Sequence, residues 1–223
     1  MTSARSPASH GRAVLLAGVT GLVGREIFAG LLADPGVSAI HLLTRRPFHH
    51  EDPRVHPRLV DFAALPSLPP VDEVYLALGT TIKVAGSQAA FRAVDFDANL
   101  AVARAARAVG AQRLGLVSAM GADARSGVFY SRVKGELEEA LAPLGYAGLV
   151  IARPSMLAGD RESLGQPVRG GERLALKVTQ ALRPLIPANY RSIQAKDVAA
   201  ALLRAVPTAS GRVVLLSGAM QGA

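Results

Sequence analysis

The stretch "GVTGLVG" (18–24) directly follows the apolar run "AVLLA" (13–17) and opens "GREIFAGLLAD" (24–34), whose Ile27/Leu31 and Phe28/Leu32 pairs recur at helical spacing. Few folds place three glycines at three-residue intervals where a strand gives way to a helix. One is a plain turn short of side chains. The other is a βα unit that seats a phosphate. There Gly18 turns the chain sharply out of the strand, and Gly21 lets backbone N–H groups approach a pyrophosphate. Gly24 lets the helix pack on the sheet. The helix N-terminus adds partial positive charge at that point. Thr20 and Leu22 complete the loop residues expected against such a ligand.

The rest of the chain chooses between them. "AIHLLT" (39–44), "EVYLAL" (73–78), "RLGLVS" (113–118) and "AGLVIARP" (147–154) read as further strands, with "GRVVLLS" (211–217) pairing late. Between them lie an Ala-rich helical stretch (87–109) closed by Gly110 and a helix from about 130 to 142, stopped by Pro143 and Gly145. A Gly-, Pro- and Arg-rich segment (155–190), with one helical part near 172–183, is expected to cover a substrate. Nearly unbroken apolar strands alternating with helices predict an α/β fold, a doubly wound and mostly parallel Rossmann-like sheet. Ligands of such sheets sit beyond the carboxyl ends of the strands, where Gly18–Gly24, Thr44–Arg46, Gly79–Thr81 and Ser118 all fall. The dinucleotide site is favoured over the plain turn.

Composition narrows the class. With 223 residues, 50 % hydrophobic and 19 % charged, the expectation is a single domain over 12–223 behind a disordered tail (1–11). No apolar run reaches the length of a spanning helix, and "MTSARSPASHGR" has no apolar core of a secretion signal, so a cytoplasmic protein is expected. The absence of cysteine excludes disulfides and thiolate metal centres. The formal charge of +8 is spread over single arginines and aromatics are only 4 %, so no specific nucleic-acid partner is expected.

The end of the second strand bears on which dinucleotide is bound. An acidic residue there accepts from the ribose hydroxyls of NAD. This chain reads "LLTRRP": Thr44 stands in place of the acid, and Arg45 and Arg46 follow. Arginine pairs a 2′-phosphate that an aspartate would repel, which favours NADP(H) over NAD(H); two solvated loop arginines are the plainer alternative.

"YSRVK" sets Tyr130 and Lys134 one helical turn apart on one face. A phenol is a poor acid–base at neutral pH, and a nearby ammonium favours its ionised form and brings it into use. Ser118, at the end of its strand, could hold a substrate carbonyl by a hydrogen bond.

These features together resemble the short-chain dehydrogenase/reductase superfamily over nearly the whole length. "GVTGLVG" resembles the GxxGxxG form of its extended and atypical members, "LVSAMGA" its active-site serine segment and "YSRVK" its Tyr/Lys motif. "LGTTIKVAG", "VDF", "SRVKGELEEAL" and "IARPSMLAGDRES" resemble the atypical branch that includes the Tat-interacting protein. The resemblance implies Ser118 as carbonyl orienter and Tyr130 as proton donor. It implies that Lys134 supports the tyrosine and bonds the nicotinamide ribose. Gly79 and Thr80 would line the cofactor, Asp61 would lie near the adenine, and Asn99 would match the family's fourth catalytic residue. The chain departs from ordinary members in having "LGTT" where they carry Asn-Asn-Ala-Gly, and in a short substrate region.

The expected function is therefore an NADP(H)-dependent oxidoreductase acting on a small carbonyl or alcohol. A cofactor-sensing protein without efficient catalysis is the alternative, and an epimerase or dehydratase a smaller one. Other groups carry less. His49, His50 and His56 with Glu51 and Asp52 read as a solvated, Pro-broken loop rather than a metal cluster. Asp197 reads as a first-turn helix acid and Arg153 as a structural arginine, while Arg161, Arg169 and Arg191 fall where a substrate pocket would be built.

Overall fold

The first strand explains the architecture. In β1 (Arg12–Ala17), Val14 and Leu16 face one layer of helices while Leu15 and Ala17 face another, and all four are fully buried. A strand covered on both faces needs apolar residues at every position, so its sequence is a run rather than an alternation. Burying one such leucine contributes about 1.5–3 kcal/mol. The computed structural model describes residues 11–158 and 187–222. The helix expected near 172–183, Arg161 and Arg169, and the tail apart from Gly11 lie outside the described residues.

After β1 come α1 (Leu22–Ala33), β2 (Val37–Thr44), β3 (Val55–Leu59) and β4 (Glu73–Leu76). Short helices α2 (Ile82–Ala85) and α3 (Gln88–Arg92) follow, then a π-helical stretch (Ala93–Ala98) that runs into α4 (Asn99–Ala108). The chain continues through β5 (Arg113–Val117), α5 (Phe129–Leu141), β6 (Gly148–Arg153) and the two-residue β7 (Leu157–Ala158). Past the undescribed segment lie β8 (Ile193–Gln194), α6 (Ala195–Ala205), β9 (Gly211–Leu216) and α7 (Ser217–Met220).

Among the described residues, seven strands form one sheet in the order β3-β2-β1-β4-β5-β6-β9, with every neighbouring pair parallel. One core, with Ile27, Leu31, Ile40, Tyr75, Val198 and Leu202, lies between the sheet and α1 and α6. The other, with Val74, Val102, Ala106, Leu114, Leu137 and Ile151, lies between the sheet and α4 and α5. This is the doubly wound α/β sheet that the sequence predicts. The chain runs outward from β1 through β2 to β3, then returns to β4 on the other side of β1. The strand order reverses there, beside the β1 and β4 carboxyl ends, which is where ligands of such sheets bind.

Two elements differ from expectation. β3 carries Pro57 and exposes His56, Pro57 and Leu59, so its sequence lacks an apolar run; it survives because it is an edge strand, where a missing N–H is harmless. The helix expected over 87–109 is continuous but changes pitch at 93–98, where one turn is wound as π.

Candidate active site

Gly18 has φ 103°, in the left-handed region, and a Cβ placed on it would lie 2.4 Å from the backbone carbonyl of Ala77. A Cβ on Gly24 would lie 1.9 Å from Gly18 O. Both glycines are thus demanded by the protein's own backbone, the first by the turn and the second by close packing of α1 on the loop. Gly21 is different. Its φ of −78° suits any residue, and a Cβ there would meet Gly18 O at 3.4 Å, an ordinary contact. Glycine is therefore not demanded here by the protein's own packing, and it stands at the N-terminus of α1, which has no acidic residue in its first turn and no side-chain cap. Backbone N–H groups at such an end suit an anion. A pyrophosphate fits it. Thr20 is exposed and Leu22 half-buried on the same loop.

Beyond the ends of β2, β3 and β4 lies a cavity of about 500 Å³, lined by Arg45, Val60, Asp61, Phe62, Leu78, Val94 and Asp97 among others. Its apolar walls with a few polar groups suit an aromatic base. Arg45 and Asp61 both line the cavity. Asp61 Oδ1 accepts from Ala63 N at 2.9 Å, which fixes the turn after β3. Arg46 is exposed and does not line this cavity. Thr44 is buried and its hydroxyl donates to Arg58 O at 3.3 Å, so it holds β3 rather than facing a ligand.

Two rows of side chains meet between α5 and the α3–π segment. Tyr130 on α5 rests against Phe91, ring centroids 5.6 Å apart, and one turn on Lys134 Nζ lies 2.7 Å from Asp95 Oδ1. Residues 91 and 95 repeat the four-residue spacing of 130 and 134, so the two faces are in register. Tyr130 is 37 % exposed, whereas Lys134 and Asp95 are 4 % and 1 % exposed. Asp95 Oδ2 also accepts from Thr80 N at 2.9 Å, which ties the loop after β4 to the pair. Gly79 lies over it: a Cβ there would be 3.6 Å from Asp95 Oδ1 and 4.0 Å from Lys134 Nζ. Asn99, fully buried, donates through Nδ2 to Leu78 O of the loop after β4 and to Val94 O and Asp95 O of the π turn; its Oδ1 has no hydrogen-bond partner among the described residues.

Ser118 is placed elsewhere. Its Oγ donates to Glu138 Oε1 at 2.5 Å. Arg153 bonds both oxygens of that carboxylate, Nη2 reaching Oε2 at 2.6 Å, and Arg212 of β9 approaches it at 3.3 Å. Glu138 is eight residues beyond Tyr130 on α5, about 12 Å along the helix axis. The structure thus brings Ser118 to Glu138 and not to the Tyr130 end of the helix. Arg153 is held as the structural arginine its sequence position suggests.

Asp95, Asp97 and Glu138 are polar residues of this region that sequence reasoning passes over. A signal existed for two of them: Asp95 is an acid inside an Ala-rich buried stretch, and Glu138 continues the i, i+4 row of Tyr130 and Lys134. Among the described residues no group of His, Cys, Asp and Glu is placed to hold a metal ion. His50 packs on Phe28, and His56 stacks on His41 at 5.1 Å. Asp197 lies in the first turn of α6. No described helix is long and apolar enough to cross a membrane.

No family model matches the chain. Curated relatives do. The protein fmp52, mitochondrial, of Emericella nidulans is 38 % identical over 159 residues, 67 % of this chain and 68 % of the relative. The protein fmp52-1, mitochondrial, of Aspergillus terreus is 32 % identical over 223 residues, 92 % of this chain and 95 % of the relative. Solved structures share the fold at low identity. MoeE5 in complex with UDP-glucose and NAD superposes with TM-score 0.65 at 15 % identity, over 91 % of this chain and 75 % of that one. A short chain dehydrogenase family protein from Francisella tularensis gives 0.67 at 11 %, over 94 % and 98 %. The narrower resemblance to the Tat-interacting branch gives way to these relatives, which carry another name. They also correct the cytoplasmic location expected from the sequence, since their names place them in mitochondria.

Proposed function

This chain belongs to the Fmp52 family, and we propose that it is an NADP(H)-dependent oxidoreductase of the short-chain type acting on a carbonyl or alcohol substrate. The observation that carries the proposal is a continuous chain of contacts across one loop. Gly18 packs against the backbone at Ala77, and two residues on, Gly79 lies over Lys134 Nζ. The glycine turn and the Tyr130–Lys134 face thus flank the same five-residue connection (77–81), whose Leu78 also lines the cavity bearing Arg45 and Asp61.

The loop from Gly18 to Gly24, with Thr20 and Leu22, would hold the pyrophosphate. Arg45, helped by Arg46, would pair a 2′-phosphate, and Asp61 would face the adenine. Gly79, Thr80 and Lys134 would hold the nicotinamide half. When bound, the nicotinamide supplies or accepts the hydride. Tyr130 does the proton work: its hydroxyl gives a proton to the carbonyl oxygen in reduction and takes it back from the alcohol in oxidation. The buried Phe91 ring fixes the phenol for this task. Ser118 enters as a strut for Glu138 rather than as a donor to the carbonyl.

That last feature also supports a second reading. Ser118 is committed to Glu138 and Lys134 to Asp95, so two members of the expected Ser/Tyr/Lys set are held by protein partners. A dinucleotide sensor would keep the loop and the cavity and have no need of the phenol.

The test is NADPH oxidation by the native protein and Tyr130→Phe against aldehydes, ketones and quinones, with NADPH binding measured alongside. Turnover that drops by about 10²-fold or more in the variant, with binding kept, is the expected result. Binding without turnover in either protein favours the sensor, and no dinucleotide binding at all overturns both.

A further inference from the structure

We propose that Asp95 is a positioning residue that acts through Lys134, holding its ammonium where the nicotinamide half of the dinucleotide is gripped. The inference rests on the dinucleotide site proposed above. Three contacts converge on this one residue, two of them on its carboxylate. Oδ1 is ion-paired with Lys134 Nζ of α5 at 2.7 Å, and Oδ2 accepts a hydrogen bond from Thr80 N of the loop after β4 at 2.9 Å. The backbone carbonyl of Asp95 is itself held by Asn99 Nδ2 at 3.2 Å. The π turn sets the carboxylate at this point, between a helix and a loop that do not otherwise share a polar contact in the site.

Stability alone does not explain the arrangement. Taking an ammonium and a carboxylate out of water costs several kcal/mol, and an apolar pair of similar volume commonly does as well or better. The charge pair lies directly beneath Gly79, where a Cβ would come within 3.6 Å of Asp95 Oδ1 and 4.0 Å of Lys134 Nζ, so no side chain of that loop position stands over the two charged atoms. A lysine has four rotatable bonds and a compact charge; its reach is useful only when something fixes it. Asp95 supplies that, and because the same carboxylate anchors Thr80, the loop and the lysine move as one unit.

The experiment compares binding of two probes to the full chain. NADPH reaches both halves of the site, and adenosine 2′,5′-bisphosphate reaches the adenine half alone, with NADH and AMP measured beside them. The native protein, Asp95→Asn, Lys134→Met and the double variant are titrated. Asp95→Asn is expected to weaken NADPH about tenfold while leaving the bisphosphate within about twofold, and to add nothing further in the Lys134→Met background. Equal weakening of both probes, unchanged NADPH affinity, or a full additional loss in the Lys134→Met background overturns the proposal. If Asp95→Asn does not fold, the double variant, which leaves no lone buried charge, is compared with Lys134→Met, and weaker NADPH binding by the double variant overturns it. A native protein that binds none of the four probes removes the site itself, which is a different failure from any of these.

Discussion

Ser118 Oγ donates to Glu138 Oε1 over 2.5 Å, in a pocket where Ser118 is 5 % and Glu138 1 % exposed. The carboxylate ties together four parts of the fold: α5 carries it, Ser118 reaches it from the residue after β5, and β6 and β9 send Arg153 and Arg212. Arg153 bonds both carboxylate oxygens, and the carboxylate in turn raises the guanidinium pKa above its ordinary value.

Glu138→Gln leaves Arg153 without its counter-charge and should cost about 3–5 kcal/mol of stability, whereas Ser118→Ala should cost about 1–2 kcal/mol. Because the Ser118 hydroxyl is spent on Glu138, Ser118→Ala should keep turnover within about threefold of the native value. Denaturant melts and NADPH oxidation on the same preparations check both statements. A hundredfold loss of turnover on the order of that for Tyr130→Phe would return Ser118 to the carbonyl.

The glycine loop separates folding from binding. Gly24→Ala drives a Cβ to 1.9 Å from Gly18 O and should destabilise the protein by about 3 kcal/mol. Gly21→Ala meets only ordinary contacts, so its melting curve should move by less than about 0.5 kcal/mol. Its dinucleotide affinity should nevertheless fall if the loop seats the pyrophosphate as proposed, since the added methyl stands beside the helix N-terminal N–H groups. Thermal melts alongside NADPH titration read the two effects apart.

Arg45 and Arg46 are adjacent in sequence but not in place. Arg45 lines the cavity and Arg46 does not. Arg45→Ala should therefore weaken NADPH about tenfold and NADH much less, with Arg46→Ala the milder of the two. Equal loss of both nucleotides on Arg45→Ala would remove the 2′-phosphate assignment.

Acid should weaken the fold through His41. Burial first, then the neighbouring His56 and Arg58, lower its pKa from 6.5 to about 4. Between those values the unfolded chain takes up a proton that the folded chain refuses, so stability falls as pH drops from 6.5 towards 4. His41→Phe keeps a ring against His56 and should flatten that slope, which urea midpoints measured across this range would show.

Much of the fold was legible because a buried parallel strand must be apolar at every position. The runs at β1, β5 and β6 announce themselves, and the glycine loop locates the switch point. β3 was not legible, since an edge strand with Pro57 and two polar neighbours has the composition of a loop. Within the site, Tyr130 and Lys134 could be placed on one face because i, i+4 spacing is a local property. The partners of Lys134 and Ser118 could not, because Asp95 and Glu138 lie 39 and 20 residues away from them and meet them only once the helices dock. The serine illustrates the point: its strand end was foreseen, but the direction its hydroxyl takes was decided by a carboxylate on another element.

The place of β9 has a consequence for synthesis. Arg212 is the second residue of this late strand, which pairs with β6 alone among the described strands. While a nascent chain still holds residue 212 inside the ribosome, Glu138 has Arg153 and Ser118 but not its second cation, and the outer flank of β6 has no strand beside it. Docking of β9 supplies both at once. Completion of the sheet and arrival of a second guanidinium at this buried carboxylate are thus a single late event.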